Sequence, residues 1–348
     1  MRTNRLFWCW LFTVFAGQVT AQNIPREASL SISKAVDPIT LDGLLNEQSW
    51  QDADIATDFY QSFPVDNKPA TSQVEAKVIF DDTYFYLGFV CHDPTGGPYI
   101  VESLKRDFEW RSTENISVYI DPFDDKTNGF NFSLSPYNVQ REGLISGAEE
   151  ISADWDNKWY SEVTTYEDKW VVEIAIPFKT LRYKESLTNW NIQFIRNDPK
   201  TGERSVWTNV KQQFRSNNLA FSGRLIWNDP PPPSGMNISV IPYVLGSTSR
   251  DFEEGTPNEL DGNAGFDAKI AVNSSLNLDL TVNPDFSQVE VDQQIANLDR
   301  FELFFPEKRQ FFLENSDLFG NSGFPPSRAF FSRRIGIAQD TAGNTVQV

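Results

Sequence analysis

Hydrophobic residues recur at every second position in a series of short runs. Val74, Ala76, Val78 and Phe80 form one run, Asp81-Asp82 interrupt it, and Phe85, Leu87, Phe89 and Cys91 resume the alternation. Period two puts one set of side chains on one face of a strand, so the pattern predicts a β-hairpin with one buried face. Tyr84 and Tyr86 then point to a second layer or to the surface. A second hairpin is expected from Ile116, Val118 and Ile120, closed by Asp121-Pro122, and from Phe130, Phe132 and Leu134 after the turn-rich Asp124–Gly129. The clearest buried strand is Trp170, Val172, Ile174 and Ile176, ending at Pro177, which cannot donate to a sheet ladder. Trp190, Ile192 and Phe194 continue the series. Many short strands, frequent turn residues and almost no helical period indicate an all-β fold, an antiparallel β-sandwich of jelly-roll type.

Near the start of this region, Ile39–Trp50 reads as a short strand, an Asp42-Gly43 turn and one helical turn. Leu45 and Trp50 are expected to plug one end of the core. After Asp229-Pro230-Pro231-Pro232-Pro233-Ser234-Gly235, a stiff proline-rich linker, the pattern changes. Phe266, Ala268, Ile270 and Val272 alternate with polar residues, as do Leu276, Leu278, Leu280 and Val282. Two strictly amphipathic strands joined by Ser274-Ser275 fit the start of an outer-membrane barrel, and equally a soluble hairpin laid on another sheet. The expected domains are therefore a signal segment 1–21, a sandwich 22–228, the linker 229–235 and a partial β domain 236–348.

The signal segment rests on Arg2 and Arg5, the apolar Leu6–Ala16 and the small-residue site Val19-Thr20-Ala21. An exported protein with a location in the periplasm or outer membrane is the expectation. Removing the segment leaves one cysteine, Cys91, so no disulfide can staple the sandwich and its core must hold it. Twenty-eight Phe and ten Trp supply the apolar surface. A net charge of −18 argues against nucleic acid as a partner, because phosphate neutralisation needs a basic surface. The one histidine, His92, excludes His-rich zinc sites and reads as a structural residue at a strand end.

Four blocks carry a family resemblance. Ile39–Trp50 has the form LDGxLxExxW, Val74–Leu87 a strand, Asp-Asp and an aromatic strand; Ile116–Pro122 follows, then Trp170–Phe178 with WxxEIAIPF. In this order they resemble the family 9 carbohydrate-binding modules, β-sandwiches that accompany secreted sugar-degrading enzymes. Beyond the linker, Asn283–Glu290, Asn297-Leu298 and Phe301–Leu313 look like the start of the domain of unknown function DUF5916, whose remainder resembles an outer-membrane barrel. That likeness implies that the chain is C-terminally truncated.

The resemblance implies a polysaccharide or oligosaccharide partner. Sugar recognition pairs an aromatic face with polar groups that bond hydroxyls. Trp155 and Trp159 among Asp154, Asp156 and Asn157 have that mixture, and so does Trp110 beside Arg106, Asp107, Glu109 and Arg111. Packing in the core is the competing reading for each ring. Family 9 modules also carry structural calcium, and Asp121, Asp124, Asp125 and Asn128 offer hard oxygen ligands, although acidic turns are often only turns. No nucleophile elbow, phosphate loop, dinucleotide fingerprint or zinc helix is present. Carboxylate pairs for a glycoside hydrolase cannot be chosen among 48 acids. Glu173, out of phase with the buried residues of its strand, is expected to face a cleft or solvent. Carbohydrate binding is thus the leading expectation; a docking appendage of an outer-membrane barrel is the alternative, and a hydrolase the weaker one.

Overall fold

The computed structural model describes residues 28–153, 155–233, 238–250, 257–273 and 276–283, with short paired strands at 323–324, 327–328, 337–339 and 345–347. The expected signal segment, Asp154 and most DUF5916-like motif residues lie outside the described residues.

In chain order the sandwich contains β1 (Ser29–Lys34), the helical turn α1 (Gln48–Asp52), β2 (Ile55–Ala56), β3 (Tyr60–Phe63), β4 (Val74–Phe80) and β5 (Tyr84–His92). Then come β6 (Asn115–Asp121), β7 (Gly129–Leu134), β8 (Gln140–Ser146), β9 (Glu150–Ser152), β10 (Tyr160–Thr165) and β11 (Lys169–Pro177). The series closes with β12 (Asn189–Asp198), β13 (Glu203–Val206) and β14 (Gly223–Trp227). One sheet runs β10-β11-β5-β4; the other runs β14-β12-β6-β7-β8-β9, with β13 and β3 added beside β12. Strand β1 belongs to both. Its first four residues pair in parallel with β14 and its last two with β4, so it turns the corner between the sheets.

The period-two residues meet between the sheets. Phe85, Leu87 and Phe89 of β5 and Trp170, Val172, Ile174 and Ile176 of β11 face Ile116, Val118, Ile120, Phe130, Phe132 and Trp190 in one buried cluster. The two predicted hairpins pair as expected, Val78 opposite Leu87 and Val118 opposite Phe132. Cys91 is free and buried. Polar groups close the same space at one end. Arg196, fully buried on β12, donates to Glu114 at 3.0 Å and to the His92 carbonyl across the sandwich, and Lys200 pairs with Asp93. Burial keeps the Glu114 carboxyl above its ordinary range despite Arg196. His92 itself is partly exposed and bonds Glu75.

Each outer face has its own small cluster. Leu45 and Trp50 do not plug the end of the main core; they cover the outer face of the first sheet with Ile79, Tyr86, Val171 and Ala175. The reason is a gap at Gly88, where a Cβ would lie 2.7 Å from Leu45 Cδ2 and 3.1 Å from the Trp50 ring. Glu173, paired across from Gly88, holds this plug in place. Its carboxylate accepts the Asp42 and Gly43 N–H groups and the Trp50 indole N–H, all at 2.9 Å. The expectation of a cleft or solvent for Glu173 is therefore corrected: it is fully buried under the LDG turn. Gly43 sits at φ +77°, where a side chain would be strained and would meet Thr164.

Past the prolines, β15 (Ile238–Ser249), β16 (Glu259–Asn273) and β17 (Leu276–Val282) form a separate antiparallel three-stranded meander. Register aligns Ile238, Ile270 and Leu278, then Val240, Ala268 and Leu280, then Pro242, Phe266 and Val282 on one face. Val240, Val244, Leu260 and Val282 on that face are exposed.

Candidate functional site

The loop from Asp93 to Glu114 crosses from one sheet to the other, and its Arg106 brings the two predicted aromatic-polar segments together. Arg106 Nε donates to Glu142 Oε1 at 3.1 Å, with a second, closer contact from Nη2. Nη1 reaches Gln140 Oε1 at 3.0 Å, and Nη2 reaches the Asn157 carbonyl at 3.2 Å and Asp156 at 3.3 Å. Gln140 is fixed in turn by donation to Ser161 Oγ at 2.8 Å. The Arg106 side chain remains 41% exposed and Asp156 69%, while Glu142 is 1% exposed. Burial pushes the Glu142 carboxyl up to about 7, opposed by Arg106. Glu142 Oε2 and the Trp159 indole N–H are both buried, and the Trp159 N–H acts on the Glu142 carboxyl, lowering its pKa against the effect of burial.

Strand geometry explains the arrangement. Glu142 lies opposite Phe132, an inward-facing core residue, so its side chain points to the inner face of β8. Glu142 was not singled out in the sequence; its one signal, an acid in phase with Leu144, is weak.

The tryptophans behave differently from their expected role. Trp155 is 6% and Trp159 4% exposed. Trp155 packs 5.3 Å from Phe130, and Trp159 packs 5.4 Å from Phe132 in the edge-on geometry. Their rings form a floor in the core and present no open face for a pyranose, because they cover the inward-facing Phe130 and Phe132 of β7. Asp156 and Asn157, between them, do reach the Arg106 cluster. Trp110 lies elsewhere. Its indole N–H donates to Ser117 at 2.8 Å and its ring is half-buried against Tyr119, Ile145, Ile195 and Val206 on the outer face of the second sheet. Tyr137, in the turn before Gln140, is an exposed ring that was not proposed from sequence.

The calcium reading fits the structure poorly. Asp121 is buried and accepts the Phe123 and Lys126 N–H groups and Asn191. Asp124 accepts from Asn191 and pairs with Arg224 at 2.6 Å; Asp125 caps Thr127 and Asn128. These oxygens are committed to the turn, a guanidinium sits among them, and no group of three or more acidic, histidine or cysteine ligands forms among the described residues.

Sequence comparison defines what kind of sandwich this is. A family model described as carbohydrate family 9 binding domain-like matches residues 41–231, more than half of the chain. The chain belongs to this family. A model for the domain of unknown function DUF5916 matches residues 233–347. Among solved structures, a family 9 carbohydrate binding module from Caldicellulosiruptor kristjanssonii in complex with cellotriose aligns at 12% identity and a TM-score of 0.42, covering 57% of this chain and 93% of that one. The same source's module in complex with glucose aligns at 13% identity, with a TM-score of 0.42 and coverage of 58% and 96%. A structure from Bacteroides uniformis aligns at 12% identity with a TM-score of 0.47, over 58% of this chain and all of that one. No curated protein matches the chain.

Proposed function

We propose that the family 9-like sandwich binds carbohydrate through the Arg106 cluster. Membership of a family 9-like carbohydrate-binding class supports the general activity. The observation that carries the site is Arg106 itself: a half-exposed guanidinium locked by a buried carboxylate, with exposed Asp156 and partly exposed Asn157 and Gln140 around it. Such a group offers donors and acceptors already held in place, which lowers the entropic cost of engaging hydroxyls. The Trp159 N–H and the Asp156 carboxyl both act on the Glu142 carboxyl, so the cluster under Arg106 is a connected polar group. Tyr137 supplies an exposed ring on the neighbouring turn. Titration of the protein with soluble glucans, xylans and their oligomers tests this. Arg106→Ala is expected to weaken binding at least tenfold, about 1.4 kcal/mol or more; unchanged affinity would remove Arg106 from the site.

The finer reading is an exported module held at the outer membrane through its C-terminal part, with a role in polysaccharide breakdown. The Met1–Ala21 sequence pattern supports export. The apolar face of the β15–β17 meander supports a lipid-facing barrel segment, since barrel strands alternate apolar and polar positions. Fractionation of producing cells should place the protein in the outer membrane; recovery in the cytoplasm would contradict this reading. A docking appendage is the second reading, favoured by the burial of Trp155 and Trp159, and failure of the wild-type protein to bind any glycan would select it.

A further inference from the structure

A second cluster lies on the opposite side of the same sheet. Arg141 and Glu142 are consecutive on β8, so they face opposite ways. On the Arg141 side, register places Ser133 beside Arg141, Ser117 beside Ser133 and Ile195 beside Ser117. Arg204 on β13 stands opposite Asn197, two residues along β12 from Ile195. Trp110 lies across this surface: its N–H holds Ser117, whose hydroxyl is 2.7 Å from that of Ser133, and the Arg204 guanidinium sits 4.8 Å from its ring centroid. Arg141 donates to the Phe108 carbonyl at 2.9 Å, and Arg111 follows Trp110 directly and is exposed. Arg141 and Arg204 both act electrostatically on the buried Tyr119 hydroxyl, which burial pushes up to about 12.

Among the described residues Arg111 and Arg204 have no carboxylate paired to them, and Arg141 feels the Asp107 carboxylate only at a distance, without an ion pair. Ion pairs engage Arg106, Arg196, Arg215 and Arg224, but among the described residues none is formed by Arg111, Arg141 or Arg204. The Nε groups of Arg141 and Arg204 are buried without a hydrogen-bond partner. Burial, and then the charge of Arg111, hold the Arg204 pKa below its ordinary value. A chain with 48 acids and 30 bases has no shortage of carboxylates to neutralise such a group. Like charges brought together at a partly desolvated surface are unfavourable unless an anion joins them.

We propose that Arg111, Arg141 and Arg204 form an oxyanion-binding site, walled by Trp110, for a carboxylate, sulfate or phosphate group. The planar guanidinium fork matches such groups with paired hydrogen bonds. The source is either an acidic sugar of a glycan or a free inorganic anion. This site is separate from the Arg106 cluster, so loss of sugar binding there leaves it standing.

The test uses the full chain, measuring melting temperature and calorimetric binding with sodium sulfate, inorganic phosphate, galacturonate and galacturonate oligomers against sodium chloride of equal ionic strength. A ligand that binds the native state raises the melting temperature. At least one oxyanion is expected to give a saturable calorimetric isotherm and a rise in melting temperature that is larger in the wild type than in Arg111→Gln, beyond the general stabilisation that sulfate and phosphate give any folded chain. Arg111→Gln, an exposed change that leaves the core intact, should weaken that anion's binding at least tenfold, as should Arg204→Gln, while Arg215→Gln should not. Tighter binding of galacturonate oligomers than of the monomer, sulfate and phosphate identifies an acidic glycan; equal or tighter binding of the inorganic anions identifies a free anion. The site is overturned if every oxyanion acts as chloride does, or if Arg111→Gln binds them as the wild type does.

Discussion

Glu142 shows at residue scale why the site was only half legible. Its place in the sequence, Arg141-Glu142-Gly143, gives no sign of burial, and only the pairing with Phe132 turns it into the core. Asp156 and Asn157 were legible as polar residues among aromatics; for Trp155 and Trp159 the sequence left sugar stacking and core packing both open, and the structure buries them. Composition shows that a ring needs a neighbour, and it does not show whether that neighbour is a sugar or a phenylalanine. Glu142 also sets a pH dependence. Its carboxyl is raised from 4.5 to about 7 in the folded chain, so the native state holds the proton more tightly than the unfolded one. The contribution of this group to stability therefore falls as pH rises from about 4.5 to about 7. Urea unfolding at pH 5 and pH 7.5 should show a smaller loss of stability over that interval in Glu142→Gln than in the wild type; equal losses would show that the carboxyl does not titrate there.

Among the elements, the hairpins were readable because period two is a strong signal, and the Asp-Asp and Asp-Gly turns mark their ends. The position of the Ile39–Asp52 plug was not readable. Leu45 and Trp50 are apolar at a turn whichever surface they cover, and the deciding features, the missing side chain at Gly88 and the acceptor at Glu173, lie far along the chain. Those contacts explain in physical terms why the LDG and EIAIP blocks occur together: one carboxylate binds the turn and the indole of the other block. Gly88→Ala would place a methyl 2.7 Å from Leu45 Cδ2. Overpacking of this kind costs about 1–3 kcal/mol. Limited proteolysis should cut the 39–52 segment faster in this variant than in the wild type, and an unchanged cleavage rate would mean that the plug adjusts without lifting.

For the whole molecule, two sheets share a core rich in aromatic rings, β1 ties one sheet to the other, and an ionic group around Arg196 and Glu114 closes one end without a disulfide. The all-β class was evident from strand spacing alone, whereas the sheet order was not, because β1 pairs in parallel with strands distant in sequence. Opposite faces of the second sheet then carry different polar groups: Arg106 paired with Glu142 toward the interior edge, and Arg141 with Arg204, outside any ion pair among the described residues, on the outer face. The central claim is that the interior edge holds sugar. The most direct measurement is a structure of the 28–233 sandwich, which has its own core, solved with the soluble oligosaccharide that binds it most tightly. The account predicts a sugar ring with hydroxyls within hydrogen-bond distance of Arg106 and Asp156; a ring bound elsewhere, with Arg106 still paired only to protein groups, would contradict it.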